Sequence, residues 1–358
     1  MNLSEKTFII AEAGVNHNGS IEMAKKLIDA AVDAGADAVK FQSFVATSIV
    51  TDLADKADYQ IASTGSDESQ LAMLKKLELS QAQQLQLFEY CKSHQIQFLS
   101  TPFDLESLNF LANRLQLETI KIGSGELTNA PFLLQVAQSA KQIILSTGMS
   151  TLSEVADALG VFAFAFTSTG SPSSGAFAEA LKNAKGKNEI SSRVTLLHCT
   201  TDYPTLPDDV NLRAMLTLRD EFGCRVGFSD HSVGIHLAVG AVALGARVIE
   251  KHLTLDRNLP GPDHKASLEP IEFKNLVSQI RDFERALGNF EKRPTSTESQ
   301  NKKIARRSLV ASKQIKTGEI FTSENITIKR PGTGRSPFEY WSILGTKATR
   351  DFAENDLI

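Results

Sequence analysis

The chain is predicted to be an α/β protein, a (β/α)₈ barrel followed by a small β-rich domain. Three observations predict this. Eight short apolar runs recur with helix-length segments between them, each run closes on polar residues or glycine, and the pattern stops after Leu287. Apolar strands without alternation need cover on both faces, which a parallel sheet flanked by helices supplies. The number of units and their span of about 280 residues favour closure into a barrel over an open, doubly wound sheet.

The runs occupy residues 7–12, 36–42, 96–101, 119–123, 142–147, 194–200, 224–230 and 247–253. Between them, residues 21–34 and 80–94 carry apolar side chains at helical spacing, and Asn18-Gly19-Ser20 and Ser80 supply helix starts. Residues 160–193 form an oversized connection with a turn-rich piece at 167–175. Such a segment is either a functional loop or an inserted helical pair without a catalytic role. Residues 288–304 are polar and turn-rich and read as a linker, which gives a barrel at 1–287 and a second domain at 305–358. That domain has β-like pieces at 307–311, 320–321 and 326–328 and a turn at Lys316-Thr317-Gly318-Glu319. Its surplus of lysine and arginine fits contact with an anion or another subunit, or simply a solvated surface.

A chain of 358 residues, 42% hydrophobic, can bury one large core and a small second one. A net charge of −4 supplies no basic field, which argues against nucleic acid as a partner. No apolar stretch approaches the ~18 residues of a membrane span, and residues 1–7 lack the features of a signal peptide. A cytoplasmic protein with no membrane partner is expected. Cys91, Cys199 and Cys224 are widely spaced and odd in number, as reduced thiols would be.

Barrel active sites form at the C-terminal ends of the strands, so the polar residues closing each run are the informative ones. They are Glu12 with Asn16, His17 and Asn18; Lys40 and Gln42; Ser100, Thr101 and Asp104; Lys121, Ser124 and Glu126; Ser146 and Thr147; His198; Ser229, Asp230 and His231; and His252. Lys40 and Lys121 sit in apolar runs, where a charge needs a partner. A bound phosphate or carboxylate, assisted by the hydroxyls of Thr101, Ser124, Ser146 and Ser229, satisfies both. Structural ion pairs and a nucleophilic lysine are the other readings. His231 and His252 end consecutive strands, so two imidazoles at one rim suit either a divalent ion or hydrogen-bonded core positions. Glu12, Glu126 and Asp263 are carboxylates placed for proton transfer or sugar hydroxyls, with helix capping as the competing role.

At these residues the chain resembles the sialic acid synthase family. The resemblance rests on AEAGVNHNGS (11–20), VKFQ (39–42), STPFD (100–104), KIGSGE (121–126), STGM (146–149), LLHCTTDYP (196–204), GFSDHS (227–232), EKHLTLD (250–256) and GPDHKASLEP (261–270). ARRSLVA (305–311), IKTGE (315–319) and IKRPGTG (328–334) resemble the antifreeze-like (SAF) domain that ends those synthases. The resemblance implies a domain-swapped homodimer that condenses phosphoenolpyruvate with N-acetylmannosamine, releasing phosphate and giving N-acetylneuraminate. A 2,4-diacetamido-6-deoxy acceptor, giving a legionaminate-type acid, is the alternative. A metal-dependent aldolase or a sugar-binding protein are the readings outside the family.

It further implies a divalent ion, manganese ahead of magnesium or cobalt, on His231 and His252. Lys40, Thr101, Lys121, Ser124, Ser146 and Ser229 would cradle phosphoenolpyruvate. Glu12, Glu126 and Asp263 would be catalytic, with Gln42 and Tyr203 near the substrates and Arg330 reaching a partner subunit's site. Thr201, expected among the substrate-binding residues, stands where some members carry Asn, so one anion contact is expected to be made differently here. The 160–193 segment, missing from many members, is expected to reshape access to the sugar pocket.

Overall fold

The computed structural model describes residues 6–51, 54–56, 60–61, 65 and 67–358. The chain divides into two compact units, Met1–Gly288 and Asn289–Ile358.

In the first unit each of the eight expected runs becomes one strand. They are β1 (Phe8–Gly14), β2 (Ala38–Ser43), β3 (Gln97–Pro102), β4 (Thr119–Ile122), β5 (Gln142–Ser146), β6 (Val194–Cys199), β7 (Arg225–Asp230) and β8 (Val248–His252). All pair in parallel, in the order β3-β2-β1-β8-β7-β6-β5-β4, and β3 lies beside β4, so the sheet curls into a near-closed TIM-like barrel.

Period-two alternation along the strands decides what the barrel encloses. Ile10, Ala38, Leu99, Ile144, Leu197 and Val248 form a separate buried cluster, the apolar plug inside the barrel. Their strand neighbours Ile9, Val39, Phe98, Ile143, Leu196 and Ile249 point outward into the large core beneath the helices. Gly227 belongs to the inner set because a Cβ there would stand 2.3 Å from the Val248 carbonyl oxygen and 2.6 Å from Leu197.

The helix Ile21–Ala34 starts at Ser20, whose hydroxyl accepts from the Met23 amide, and buries Ala24, Leu27, Ile28 and Ala31. Gly19 precedes it at φ 76°, and a Cβ there would meet the Lys76 carbonyl oxygen at 2.5 Å, so only glycine fits. Gln81–Ser93 begins with the reciprocal Ser80–Gln83 capping box.

The helical one of the two readings of residues 160–193 holds, and the reading of residues 288–304 as a linker needs correction. Residues 160–193 are largely helical: Leu152–Thr167 runs through Gly160, and Ser174–Lys182 and Ala184–Arg193 follow. The helix runs on because residues 158–164 are buried and apolar, and the caps Ser173 and Asn183 restart the chain after each break. The segment read as linker contains the helix Ser296–Ala305, opened by a Thr295–Glu298 capping box. None of its residues is buried, so it carries no apolar stripe that periodicity could detect.

The second unit pairs β9 (Ser308–Ala311) with β10 (Ile326–Lys329) in antiparallel fashion. Leu309, Ile315, Phe321, Ile326 and Phe352 form its core. The turn at 316–319 forms as expected, with Gly318 at φ 88°, whereas Ile320 makes an isolated bridge to Lys347 rather than a strand. All three cysteines are buried and free. No helix among the described residues is long and apolar enough to cross a membrane.

Candidate active site

Two residues beyond each member of the apolar plug, the same inward alternation places Glu12, Lys40, Thr101, Ser146, Cys199 and Glu250. Lys121 of β4 and Ser229 of β7 complete that layer, and all eight residues line one cavity of about 330 Å³ at the C-terminal end of the strands. Gln42, Thr201, Tyr203, His231, His252 and Asp263 line it further out.

Charge in the inner layer is dense and tightly paired. Lys40 Nζ lies 2.7 Å from Glu12 and 3.7 Å from Glu250, and donates to Thr101 Oγ1 at 3.2 Å. Lys121 Nζ lies 3.4 Å from Glu250 and donates to Ser146 Oγ at 2.8 Å. Ser229 Oγ donates to Glu250 at 2.8 Å. Lys40, Lys121, Glu12 and Glu250 are each at most 4% exposed, so their pairing decides their protonation. Burial would raise Glu250, but Lys121, Lys40 and the Ser229 hydroxyl outweigh it and hold the carboxyl at about 2. For Glu12 burial wins over Lys40, and nearby Glu250 adds to it, which lifts the carboxyl to about 7. Burial lowers Lys121, with Glu250 opposing, whereas burial of Lys40 is overcome by Glu12 and Glu250, which raise it.

Above this layer stand the two histidines, with ring centres 5.4 Å apart. His231 Nδ1 donates to the Thr200 carbonyl at 2.6 Å, which fixes the tautomer and leaves Nε2 as the lone-pair nitrogen. The loop carrying it is clamped from below. Asp230 accepts from the Ser232 amide and hydroxyl, and its other oxygen lies 2.9 Å from Lys251 Nζ, with both side chains fully buried. His252 Nδ1 is buried with no hydrogen-bond partner among the described residues and lies 3.9 Å from Asp263 Oδ2. Burial depresses His231 to about 4 and holds His252 well below the usual imidazole range, and it raises Asp263 to about 6 against the pull of Lys40. Both imidazoles are therefore neutral at neutral pH, the state that binds metal. An orphaned buried nitrogen, a second nitrogen fixed as an acceptor and a nearby carboxylate fit a divalent ion. Among the described residues no group of three His, Cys, Asp or Glu side chains is set to hold a metal.

The remaining expected residues divide. Ser124 lines the cavity, accepts from the Gly148 amide at 3.0 Å and lies 3.2 Å from Cys199 Sγ. The Tyr203 ring centre lies 4.2 Å from that of His231, with the two rings tilted by 35°. Glu126 does not line the cavity. It ends the 3₁₀ turn Ser124–Glu126, which carries its carboxylate round to accept from Asn129 Nδ2 at 2.7 Å. His198 points outward instead, stacking on Phe228 and bonding the Val210 carbonyl, because its strand neighbour Leu197 takes the inward phase. Arg330 lies in the second unit, exposed, with Nε donating to the Ala305 carbonyl at 3.0 Å. None of residues 160–193 lines the cavity, so the expected effect of that segment on the pocket finds no contact there.

Sequence reasoning missed Glu250. The signal was present, because counting back two residues from His252 along β8 reaches a charged residue inside an apolar run. A roomier basin of about 600 Å³, lined by Lys6, Arg225, Arg247 and Arg281, lies at the N-terminal end of the barrel and shares none of these groups.

Comparison with known proteins places this arrangement. The NeuB family pattern matches residues 27–292 and the SAF domain pattern residues 306–358. A Campylobacter jejuni protein, N,N'-diacetyllegionaminic acid synthase, is 51% identical over 99% of each chain. The chain belongs to the NeuB family. A Legionella pneumophila protein of the same name is 44% identical over 97% of this chain and 91% of its own. Among solved structures, a Leptospira borgpetersenii N-acetylneuraminic acid synthetase superposes with a TM-score of 0.65 at 32% identity, covering 83% of this chain and 90% of its own. This NeuB member is thus a synthase of the nonulosonate class, with a SAF domain at its C-terminal end.

Proposed function

We propose that this NeuB member condenses phosphoenolpyruvate with a 2,4-diacetamido-6-deoxy sugar, giving an N,N'-diacetyllegionaminate-type acid and phosphate. The observation that carries the reaction is the meeting of Lys40 and Lys121 over one carboxylate, directly beneath two neutral imidazoles. The acceptor follows the relatives, at 51% and 44% identity for the two diacetyllegionaminic acid synthases against 32% for the N-acetylneuraminic acid synthetase. That order favours the alternative acceptor over N-acetylmannosamine.

In this reading Lys40 and Lys121, with the hydroxyls of Thr101, Ser124, Ser146 and Ser229, hold the phosphate and carboxylate of phosphoenolpyruvate. Glu250 stays ionised and keeps both lysines charged and oriented toward the cavity. His231 and His252, with Asp263 alongside, would hold the divalent ion, manganese ahead of magnesium or cobalt. Bound there, the ion supplies Lewis acidity toward the sugar aldehyde. Attack by C3 of phosphoenolpyruvate leaves positive charge at C2, where water adds. Glu12, with its carboxyl near 7, takes one proton of that water and returns it to the alkoxide left on the former aldehyde oxygen, while the proton of the new C2 hydroxyl leaves with the phosphate as C2 becomes a ketone. The lysine and hydroxyl cradle then stabilises the departing phosphate. Tyr203 and Gln42 orient the sugar, and Arg330 completes a partner subunit's site in a homodimer.

The test is inorganic phosphate release from phosphoenolpyruvate with manganese and each acceptor in turn. The reading expects release with both acceptors and a higher kcat/KM for the diacetamido sugar. Release that needs no acceptor, or no release with either, removes it.

A further inference from the structure

The cavity has two unlike sides. Its floor and one flank carry the charged and imidazole groups described above. Its other flank is apolar, and rises from the loops after β1, β2 and β3 and from the helix Gln70–Leu77. Val15, Phe44, Met73 and Leu77 are 3–6% exposed and form one cluster, against which Leu74 and Phe103 pack. Phe44 and Phe103 meet edge to face at 6.3 Å.

The helix shows that this flank is built toward the cavity. Gln70, Met73, Leu74 and Leu77 follow the i, i+3, i+4, i+7 spacing of a single helical face, and all four line the cavity. The opposite face carries Lys75 and Lys76, which are exposed. An amphipathic helix normally turns its apolar stripe into a core, but this stripe also fronts the space in which the substrates meet. None of the reaction chemistry uses it.

The two candidate acceptors differ in the chemistry such a surface reads. N-acetylmannosamine carries hydroxyls at C4 and C6, whereas the diacetamido-6-deoxy sugar has an acetamido group at C4 and a methyl at C6. A hydroxyl pressed against Met73, Leu74 and Phe103 gives up water and gains no hydrogen bond, while a methyl there is simply buried. We propose that this flank is the acceptor-specificity surface, receiving the C6 methyl and the C4 acetamido methyl, with Leu74 as its most direct determinant. The inference rests on the proposed function and adds the residues that choose the sugar.

The experiment measures kcat/KM for both acceptors at saturating phosphoenolpyruvate in wild type, Leu74→Gln and Leu74→Met. Leu74 is half-buried on a surface helix, and glutamine and methionine are both good helix formers. Leu74→Gln is expected to lower kcat/KM for the diacetamido sugar about 10-fold or more, the scale of a lost apolar contact in a specificity pocket. It should lower the N-acetylmannosamine value much less and leave the KM for phosphoenolpyruvate unchanged. Leu74→Met, which conserves volume and polarity, should keep the wild-type ratio. A wild-type preference for the diacetamido sugar that survives Leu74→Gln intact overturns the surface and leaves the proposed function standing. A wild-type preference for N-acetylmannosamine overturns the proposed acceptor and this inference together.

Discussion

Lys40 and Lys121, carried by β2 and β4, reach the same carboxylate: their ammonium groups stand 3.7 and 3.4 Å from Glu250. Two buried cations therefore share one fixed anion. Glu250→Gln leaves both without it and is expected to lower the unfolding free energy by about 3 kcal/mol, the scale of a broken buried ion pair. Urea unfolding measures the loss. Added phosphoenolpyruvate should raise the thermal midpoint of the variant more than that of wild type, because it supplies the missing negative charge.

In the proposed reaction Glu12, whose carboxyl is lifted by burial to about 7, exchanges a proton at neutral pH. In Glu12→Gln, kcat should fall by at least ~10²-fold while the KM for phosphoenolpyruvate moves only a few-fold. Because the ionised form is the base, kcat/KM of the wild type should rise with pH through about 7, where burial sets this carboxyl. The rising limb should be missing from the pH profile of the variant. A kcat close to wild type removes the role.

His231 presents a fixed acceptor nitrogen and His252 an orphaned one. His231→Ala should weaken manganese binding by at least ~10-fold, since even the loss of a supporting group around a metal ligand costs that much. Titration followed by the electron paramagnetic resonance signal of free manganese reads this directly, without an activity assay. Unchanged affinity places the ion elsewhere.

Acid should destabilise the metal-free protein early. Burial holds His17, His231 and His264 at about 4 and His252 well below the ordinary 6.5. As pH falls from 6.5 toward 4.5 the unfolded chain binds protons at these four positions and the folded protein does not, so stability is lost on the acid side. Glu12, raised to about 7, and Asp263, raised to about 6, act in the opposite direction but are outnumbered. The urea midpoint should drop steadily between pH 7 and pH 5, and a flat profile contradicts the burial of neutral imidazoles.

Much of this was legible in the residues themselves. The strands announced themselves because a parallel barrel buries both faces, which turns each strand into an apolar run such as residues 142–147. The rim residues Lys40, Lys121, His231 and His252 stood out as polar groups at or near the ends of such runs. Glu250 escaped because it lies inside its run, where only the two-residue alternation from His252 marks it. Glu126 was misplaced because spacing does not tell which way a 3₁₀ turn swings its last side chain. The helix Ser296–Ala305 was hidden by its own solvation, and only the Thr295–Glu298 cap betrayed it. Ser20 and Ser80, by contrast, were read as helix starts and act as caps.

The central claim is that one cavity holds a divalent ion on His231 and His252 and phosphoenolpyruvate on Lys40 and Lys121. A crystal soaked with manganese and phosphoenolpyruvate tests it most directly. Anomalous scattering should mark manganese bonded to both imidazoles, with the phosphate and carboxylate of the acid on the two lysines. Manganese bound away from those histidines, or the acid seated in the basin at the opposite end of the barrel, contradicts it.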